Sequence, residues 1–422
     1  MKFKNIIKFF TVVLMAALFA APNFAHAQDE EEDEGFTFGG AVRYNFISTS
    51  YNNTMTNPEW TWDTWRLNVD GSMGDIDLSF EYRFYPTFGS HFIHHGFLGY
   101  DFSDDLIDDL YMELGVTQVP FGITTWASHS WWFQGPYYVG LEDDYDMGLN
   151  FDYTGIEDLK LSLAYFRQQE PEGPIFGGDV TFGGSGSGRY SYDIVPGNGG
   201  YWDESGDTLA TESASLSELN QVNARVAYNV TESWEIGASA QVGGIYNRER
   251  DQIETSTAFA GHVVGNFGNF NLKAEYINYD YNAKGDAGHN LDIVQMGAYG
   301  YKYFGSGMNP SQDGYYSGGT AAEASLYVVG LAYTIPVDWG PISNLTFYEN
   351  YTYLDKANET FADTQHNVLG FMVTAGKMYT YFDIASGKNQ PWLTDSFGEG
   401  LGAGTNNPRW NTRFNINIGY YF

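Results

Sequence analysis

Apolar and polar residues alternate with a period of two along most of the chain, the spacing at which a strand sends successive side chains to opposite faces. At the C-terminal end Trp410, Thr412, Phe414, Ile416, Ile418, Tyr420 and Phe422 alternate with Asn411, Arg413, Asn415, Asn417, Gly419 and Tyr421. Near the other end Phe36, Phe38, Gly40, Val42, Tyr44 and Phe46 alternate with Thr37, Gly39, Ala41, Arg43 and Asn45, and Ile76, Leu78, Phe80, Tyr82 and Phe84 alternate with Asp77, Ser79, Glu81 and Arg83. Further segments lie near 61–71, 93–102, 110–120, 146–153, 159–167, 219–228, 234–246, 256–267, 270–279, 324–335, 345–354, 365–375 and 378–388. The pattern predicts an all-β chain of sixteen strands, with eighteen as the alternative.

Connections between these segments alternate in length. Those at 72–75, 154–158, 229–233 and 268–269 are short, whereas 121–145, 168–218, 280–323 and 389–408 are long. Short turns at one end and long loops at the other are the pattern of an outer-membrane barrel. Residues 291–303 could count as another strand. That would reverse the alternation and move the turn at 336–344 to the long-loop end, so we place them inside one long loop.

The amino terminus sets the compartment. Lys2, Lys4 and Lys8 precede an apolar run over 9–21, followed by Pro22 and Ala25-His26-Ala27. This reads as a Sec signal peptide over 1–27, its apolar run being too short to span a bilayer. The remaining chain carries 17 basic against 53 acidic residues, net -36. Nothing later holds eighteen consecutive apolar residues. A membrane protein without a helical span must be a closed barrel, because every backbone polar group in lipid has to be bonded within the protein. A soluble sandwich would also bury one strand face, and a single strand does not distinguish the two.

Composition narrows the function. Strong net acidity excludes a nucleic-acid partner. Absence of cysteine excludes a disulfide or zinc-thiolate scaffold, and 31 Phe, 33 Tyr and 11 Trp exclude an acidic disordered chain. The acidic segment 28–35, which has six acids from Asp29 to Glu34, reads as a solvated tail. It is too short to be a globular plug, and sixteen strands enclose a lumen that water enters.

The alternation ending on Phe422, carried by Phe414, Ile416, Ile418 and Tyr420, resembles the C-terminal assembly signal of outer-membrane barrel proteins. The stretch Gly115-Val116-Thr117-Gln118-Val119-Pro120-Phe121-Gly122, at a strand end before a long loop, resembles the Gly-x-x-x-x-Pro-Phe-Gly signature of the phosphate-selective porin O and P family. The segment Thr64-Trp65-Arg66-Leu67-Asn68-Val69-Asp70-Gly71 is similar to that family's Arg-rich second strand, and 96–100 falls where its next descending strand would be. The resemblance implies a homotrimeric sixteen-stranded porin of a Gram-negative outer membrane, with its third loop, here 121–145, folded inward. Its partners would be outer-membrane lipid and lipopolysaccharide, the barrel-assembly machinery and small solutes. The chain departs from the family in keeping one arginine on its second strand and few lysines. The solutes expected are therefore small hydrophilic molecules or ions generally, anions such as phosphate among them.

Strand parity turns Arg43, Arg66, Arg83 and Arg413 inward on adjacent strands, within about 10 Å of one height. They would line a constriction, or else pair with neighbours such as Glu81 and only brace the wall. The loop after Gly122 carries Trp126, Trp131, Trp132 and Phe133, then Glu142, Asp143, Asp144 and Asp146. Folded inward, it would set carboxylates across from the arginines and create a transverse field; the bland alternative for its tryptophans is a subunit or lipid contact. Loop 168–218, with nine acids and one arginine, would gather cations at the outer mouth, so the two fields oppose and net selectivity should be weak.

No cofactor or metal is expected. Residues 182–189 have glycine spacing without the Lys-Ser/Thr of a phosphate loop, and 101–109 lack the glycine-centred spacing of a calcium loop. His91, His94, His95 and His129-Ser130 give no hydrolase geometry by spacing. The reading is a non-enzymatic diffusion porin. A non-conducting surface adhesin or structural barrel is the first alternative and a barrel hydrolase the second.

Overall fold

The computed structural model describes residues 35–52, 55–87, 90–102, 107–124, 126–169, 192–202, 209–299, 319–395, 397–404 and 408–422. The signal peptide and all but the last residue of the acidic segment lie outside them.

Twenty strands are described: β1 (Gly35–Thr49), β2 (Glu59–Met73), β3 (Ile76–Tyr85), β4 (Ser90–Asp101), β5 (Leu110–Gln118), β6 (Tyr145–Ile156), β7 (Leu159–Gln169), β8 (Gly197–Trp202), β9 (Leu209–Ala214), β10 (Leu216–Thr231), β11 (Trp234–Asn247), β12 (Gln252–Phe267), β13 (Phe270–Asp280), β14 (Ile293–Val294), β15 (Thr320–Ala321), β16 (Glu323–Trp339), β17 (Ile342–Lys356), β18 (Thr364–Ala375), β19 (Met378–Lys388) and β20 (Asn411–Tyr421). Sixteen of them close an antiparallel barrel, each paired to the next, with β20 returning to β1 through Ala41↔Tyr421 to Thr49↔Arg413. Closure removes both sheet edges, which is what lets strands stand in lipid. Phe422 completes the seam: its N–H donates to the Gly40 carbonyl and its own carbonyl accepts from the Gly40 N–H, both at 3.0 Å.

The period-two pattern becomes an inside and an outside. On β20 Arg413, Asn415, Asn417 and Gly419 are buried while Phe414 and Tyr420 are exposed, with Ile416 and Ile418 between them on that same outward face. Leu163, Phe259, Leu369 and Ile384 likewise present roughly half their surface outward, an apolar band that suits acyl chains. At the short-turn end Trp234, Phe267, Phe270 and Tyr333 form a run of ring contacts at 5.7, 5.4 and 4.6 Å, as in the aromatic girdle of a barrel.

Two readings change at the loops. The turn expected over 336–344 shrinks to Gly340-Pro341, because β16 and β17 continue pairing through Trp339↔Ile342 and Gly340 takes a left-handed φ of 63°. Residues 293–294 form strand, but not in the barrel: β14 joins β15, β8 and β9 in a separate four-stranded sheet built from the long loops. Residues 300–303 lie outside the described set.

The lumen is not uniformly polar. Phe166, Ile245, Ile277, Tyr279, Leu326 and Leu354, on the inner face of β7 to β17, pack with Tyr137, Val139 and Leu141 of the loop between β5 and β6 and with Ile194, Val294 and Met296 of the outer loops. Burial of this kind contributes about 1.5–3 kcal/mol per large side chain, so the loops are held as a core. Charged side chains turn inward on both walls, Arg43, Arg66, Glu81 and Arg83 on β1 to β3 and Arg225, Glu235, Lys273 and Glu275 on β10 to β13.

Candidate functional site

The loop between β5 and β6 begins where the Val119 N–H donates to the Asp144 carbonyl at 2.9 Å, closing its base. Pro120 and Phe121 carry the chain inward, and Gly122 turns it with φ 58°, a region that disfavours a side chain. A Cβ there would also collide with the Glu275 carboxylate. The turn is clasped by the far wall. Gly122 N–H donates to Ser239 Oγ at 3.0 Å, Ile123 N–H to Glu275 Oε1 at 3.0 Å, and Arg225 Nε donates to the Gly122 carbonyl at 2.8 Å. Further along, Lys273 Nζ donates to the Trp126 and Ser128 carbonyls at 2.5 and 3.2 Å, and the His129 N–H donates to Asn350 Oδ1 at 3.1 Å. A helical turn, α1 (Gly135–Tyr138), starts with Pro136 and is tied by the Gly135 N–H to Thr352 Oγ1 at 3.1 Å. The segment therefore lies against the inner faces of β11, β13 and β17.

Facing it, three arginines come together. Arg66 pairs directly across from Arg83, and Arg43 sits opposite Thr64, two residues from Arg66. Arg413 stands apart, opposite Thr49 and six residues along β1 from Arg43. The four thus form a cluster of three and an outlier rather than one row. A ladder connects them: Arg413 Nη2 donates to Asn415 Oδ1 at 2.5 Å, Asn415 and Asn417 donate to Asn45 Oδ1 at 3.2 and 2.8 Å, and Asn417 reaches Asp63 at 3.2 Å.

Every arginine of the cluster has a carboxylate. Arg43 Nε lies 2.9 Å from Asp63, Arg66 Nη1 lies 3.8 Å from Glu81, and Arg83 pairs with Glu81 and, at 3.9 Å, with Asp143 of the loop. His94 stands 3.6 Å from both Glu81 and Asp143. Two β-bulges make this possible. Between Arg43 and Tyr44 the register skips a residue, which turns Asp63 inward and leaves Trp62 and Trp65 stacked outside at 6.4 Å; between Glu81 and Tyr82 another turns His94 inward beside His95.

Of the four loop acids, Asp143 is the one that meets the arginine cluster among the described residues. Asp143, in a left-handed conformation with φ 54°, makes that contact directly, so no open gap separates opposite charges there. Burial pushes its carboxyl up to about 6 against the pull of Arg83 and Arg66. Glu142 points elsewhere and accepts from the Ala127 N–H at 3.2 Å, and burial raises its carboxyl well above the usual range. Asp144 and Asp146 turn toward Asp193, with carboxylate oxygens of the three within 4.8 Å of one another. Trp131 and Trp132 lie inside, their rings 5.8 and 4.9 Å from the Arg413 guanidinium, which removes the subunit or lipid contact considered for them. Trp126 is 36 % exposed and rests on Phe133.

Sequence reasoning overlooked Arg225 and Lys273, although both sit at inward parity positions, Arg225 between Asn223 and Ala227 and Lys273 beside Glu275. Asp63 and His94 carried no such signal, since a bulge breaks the parity that would reveal them. Ser79 Oγ donates to Asp70 at 2.7 Å and contacts His95 at 3.2 Å, an order in which the acid holds the hydroxyl rather than the imidazole. That is not the arrangement of a serine hydrolase.

No family model matches the chain, and no curated protein matches it. Solved structures do. The chain is similar to the outer membrane channel DcaP of Acinetobacter baumannii, with TM-score 0.54 and 13% identity over 94% of this chain and 100% of that one. An anion-selective porin from Comamonas acidovorans aligns with TM-score 0.54 and 12% identity over 92% and 99%. OmpT, an outer membrane protein of Vibrio cholerae in its trimer form, aligns with TM-score 0.50 and 12% identity over 92% and 99%. At these identities the likeness establishes the porin-type barrel fold.

Proposed function

We propose that the protein is a water-filled outer-membrane porin for passive diffusion of small hydrophilic solutes and ions, exported by the Sec route to the outer membrane of a Gram-negative bacterium. The observation that carries this is a closed sixteen-stranded barrel with a loop folded inside it and charged side chains turned inward on both sides of that loop, Arg43, Arg66 and Arg83 on one and Arg225, Glu235 and Lys160 on the other. A barrel this wide exceeds what wall side chains alone fill. In this reading the constriction lies among Arg43, Arg66 and Arg83, with Arg413, Trp131 and Trp132 on its outer side. Three guanidinium groups stand against Asp63, Glu81 and Asp143, so the local charge is balanced and phosphate preference is not expected. The protein assembles as a homotrimer through the barrel-assembly machinery, in contact with lipid and lipopolysaccharide, and performs no chemistry on its solute.

A non-conducting structural or adhesive barrel is the second reading, favoured by the apolar packing of outer loops into the lumen. Swelling of proteoliposomes separates the two. The porin reading expects swelling rates that fall steeply as solutes grow from a pentose to a trisaccharide. Folded, heat-modifiable protein that gives no swelling even with the pentose would support the structural barrel.

A further inference from the structure

At the long-loop end, where β19 and β20 meet the end of β1, the barrel holds a cavity of about 640 Å³. Its size lies within the range of small-molecule sites. The lining is chemically mixed in a particular way. Ser50, Asn389, Gln390, Thr394 and Asn411 supply hydroxyls and amides, groups that both donate and accept, and the charged lining is Asp395, Glu399 and Arg409. The charged lining is thus net negative by one, which opposes an anion. Tyr51 also lines the cavity, its hydroxyl donating to the Trp392 carbonyl at 3.3 Å.

Behind Tyr51 the lining changes. Tyr51, Trp131 and Trp392 pack as partly buried rings against Trp132 and Leu393. A second, smaller cavity of about 60 Å³ lies on the far side of Trp392, lined by Trp131, Trp392 and Tyr85 and by the Arg43–Asp63 pair. From the outer cavity inward the groups therefore change from hydrogen-bonding hydroxyls, amides and carboxylates to aromatic faces and then to an ion pair with no net charge. A fully hydrated ion gains little from aromatic faces, and an anion gains nothing from a net negative mouth. An uncharged solute with apolar faces and a rim of hydroxyls matches each stage: its hydroxyls meet amides and carboxylates, its CH faces stack on rings, and Arg43 with Asp63 can donate and accept at the inner end.

We infer that the outer cavity and the aromatic cluster beneath it bind a neutral saccharide on its way through the barrel. This rests on the porin reading and names the solute class for it.

The test records ion current through the full-length protein in a planar bilayer while maltose, a polyethylene glycol of similar size, or inorganic phosphate is added on the loop side. The expected result is a saturable block by maltose and none by the glycol or by phosphate. Asp395→Asn and Trp392→Leu should each raise the half-blocking concentration about tenfold, as loss of one hydrogen bond to a charged group or one stacking surface implies. Open channels that maltose blocks no better than the glycol overturn the saccharide inference and leave the pore reading standing, and a phosphate block does the same. Absence of any conductance overturns the pore reading instead. Maltose-dependent change in tryptophan fluorescence of the folded protein in detergent then decides binding: a saturable change, weakened in Trp392→Leu and in Asp395→Asn, upholds the site, and no change removes it.

Discussion

Deleting residues 126–133 from the inward loop raises the single-channel conductance about two- to fourfold, because conductance follows the open cross-section at the narrowest point. The segment removed includes Trp131, Trp132 and Phe133, aromatic bulk that fills the lumen beside Arg413 and Tyr137. The barrel survives the deletion. Its strands pair wall to wall without the loop, and the partners released, Lys273, Asn271 and Asn350, are polar groups that water in a widened lumen can satisfy. The Gly122 clasp and α1 remain as fixed ends. Unchanged conductance would place the main path on the other side of the loop root, where a cavity of about 480 Å³ lies beside Arg225, Glu235 and Lys160.

Glu81→Gln shifts the pore toward anions, with the chloride-to-potassium permeability ratio rising about threefold or more, since unpaired charge in a narrow, poorly screened space acts strongly on ions. Glu81 is the common partner of Arg66, Arg83 and His94, and removing its charge leaves two guanidinium groups against Asp143 alone. Acid should act in the same direction. The Asp143 carboxyl, held up at about 6 by burial, is charged above that pH and balances the cluster; below it the carboxyl is neutral and the cluster becomes net positive. Reversal potentials in a KCl gradient should therefore move toward anion preference as pH falls from 8 to 5. Asp143→Asn should hold the low-pH selectivity throughout. Because His94 also stands beside Asp143, His94→Gln serves as the comparison, and it should retain most of the pH response. A wild-type response that disappears in His94→Gln and persists in Asp143→Asn would move the titration to the imidazole.

The barrel was legible because lipid imposes a strict rule on its outward face. On β20 the apolar set from Phe414 to Phe422 must alternate with Arg413, Asn415 and Asn417, and the same constraint gave sixteen strands in the right order. The inward loop was legible from its aromatics, too many for solvent. What lay beyond reach followed from departures from the period. One extra residue in β2 brings Asp63 to Arg43, and one in β4 brings His94 to Glu81, so each of these two contacts involves a residue that parity assigned outside. Glu142, Asp143, Asp144 and Asp146 were expected to act together, yet the chain sends Asp143 to the arginines, Glu142 to the Ala127 N–H, and Asp144 and Asp146 toward Asp193. The four-stranded sheet joins loops more than ninety residues apart, pairings such as Ile293↔Gly200 that no local pattern encodes. Arg225 is different, being visible by parity on β10, far from the arginines of β1 to β3 and β20.

Single-channel recording of the full-length protein in a planar bilayer tests the central claim most directly. The account predicts stepwise, ohmic conductance with weak ion selectivity at neutral pH, raised by deletion of residues 126–133. Folded, heat-modifiable protein that inserts without producing current steps, and that stays silent after the deletion, would contradict it.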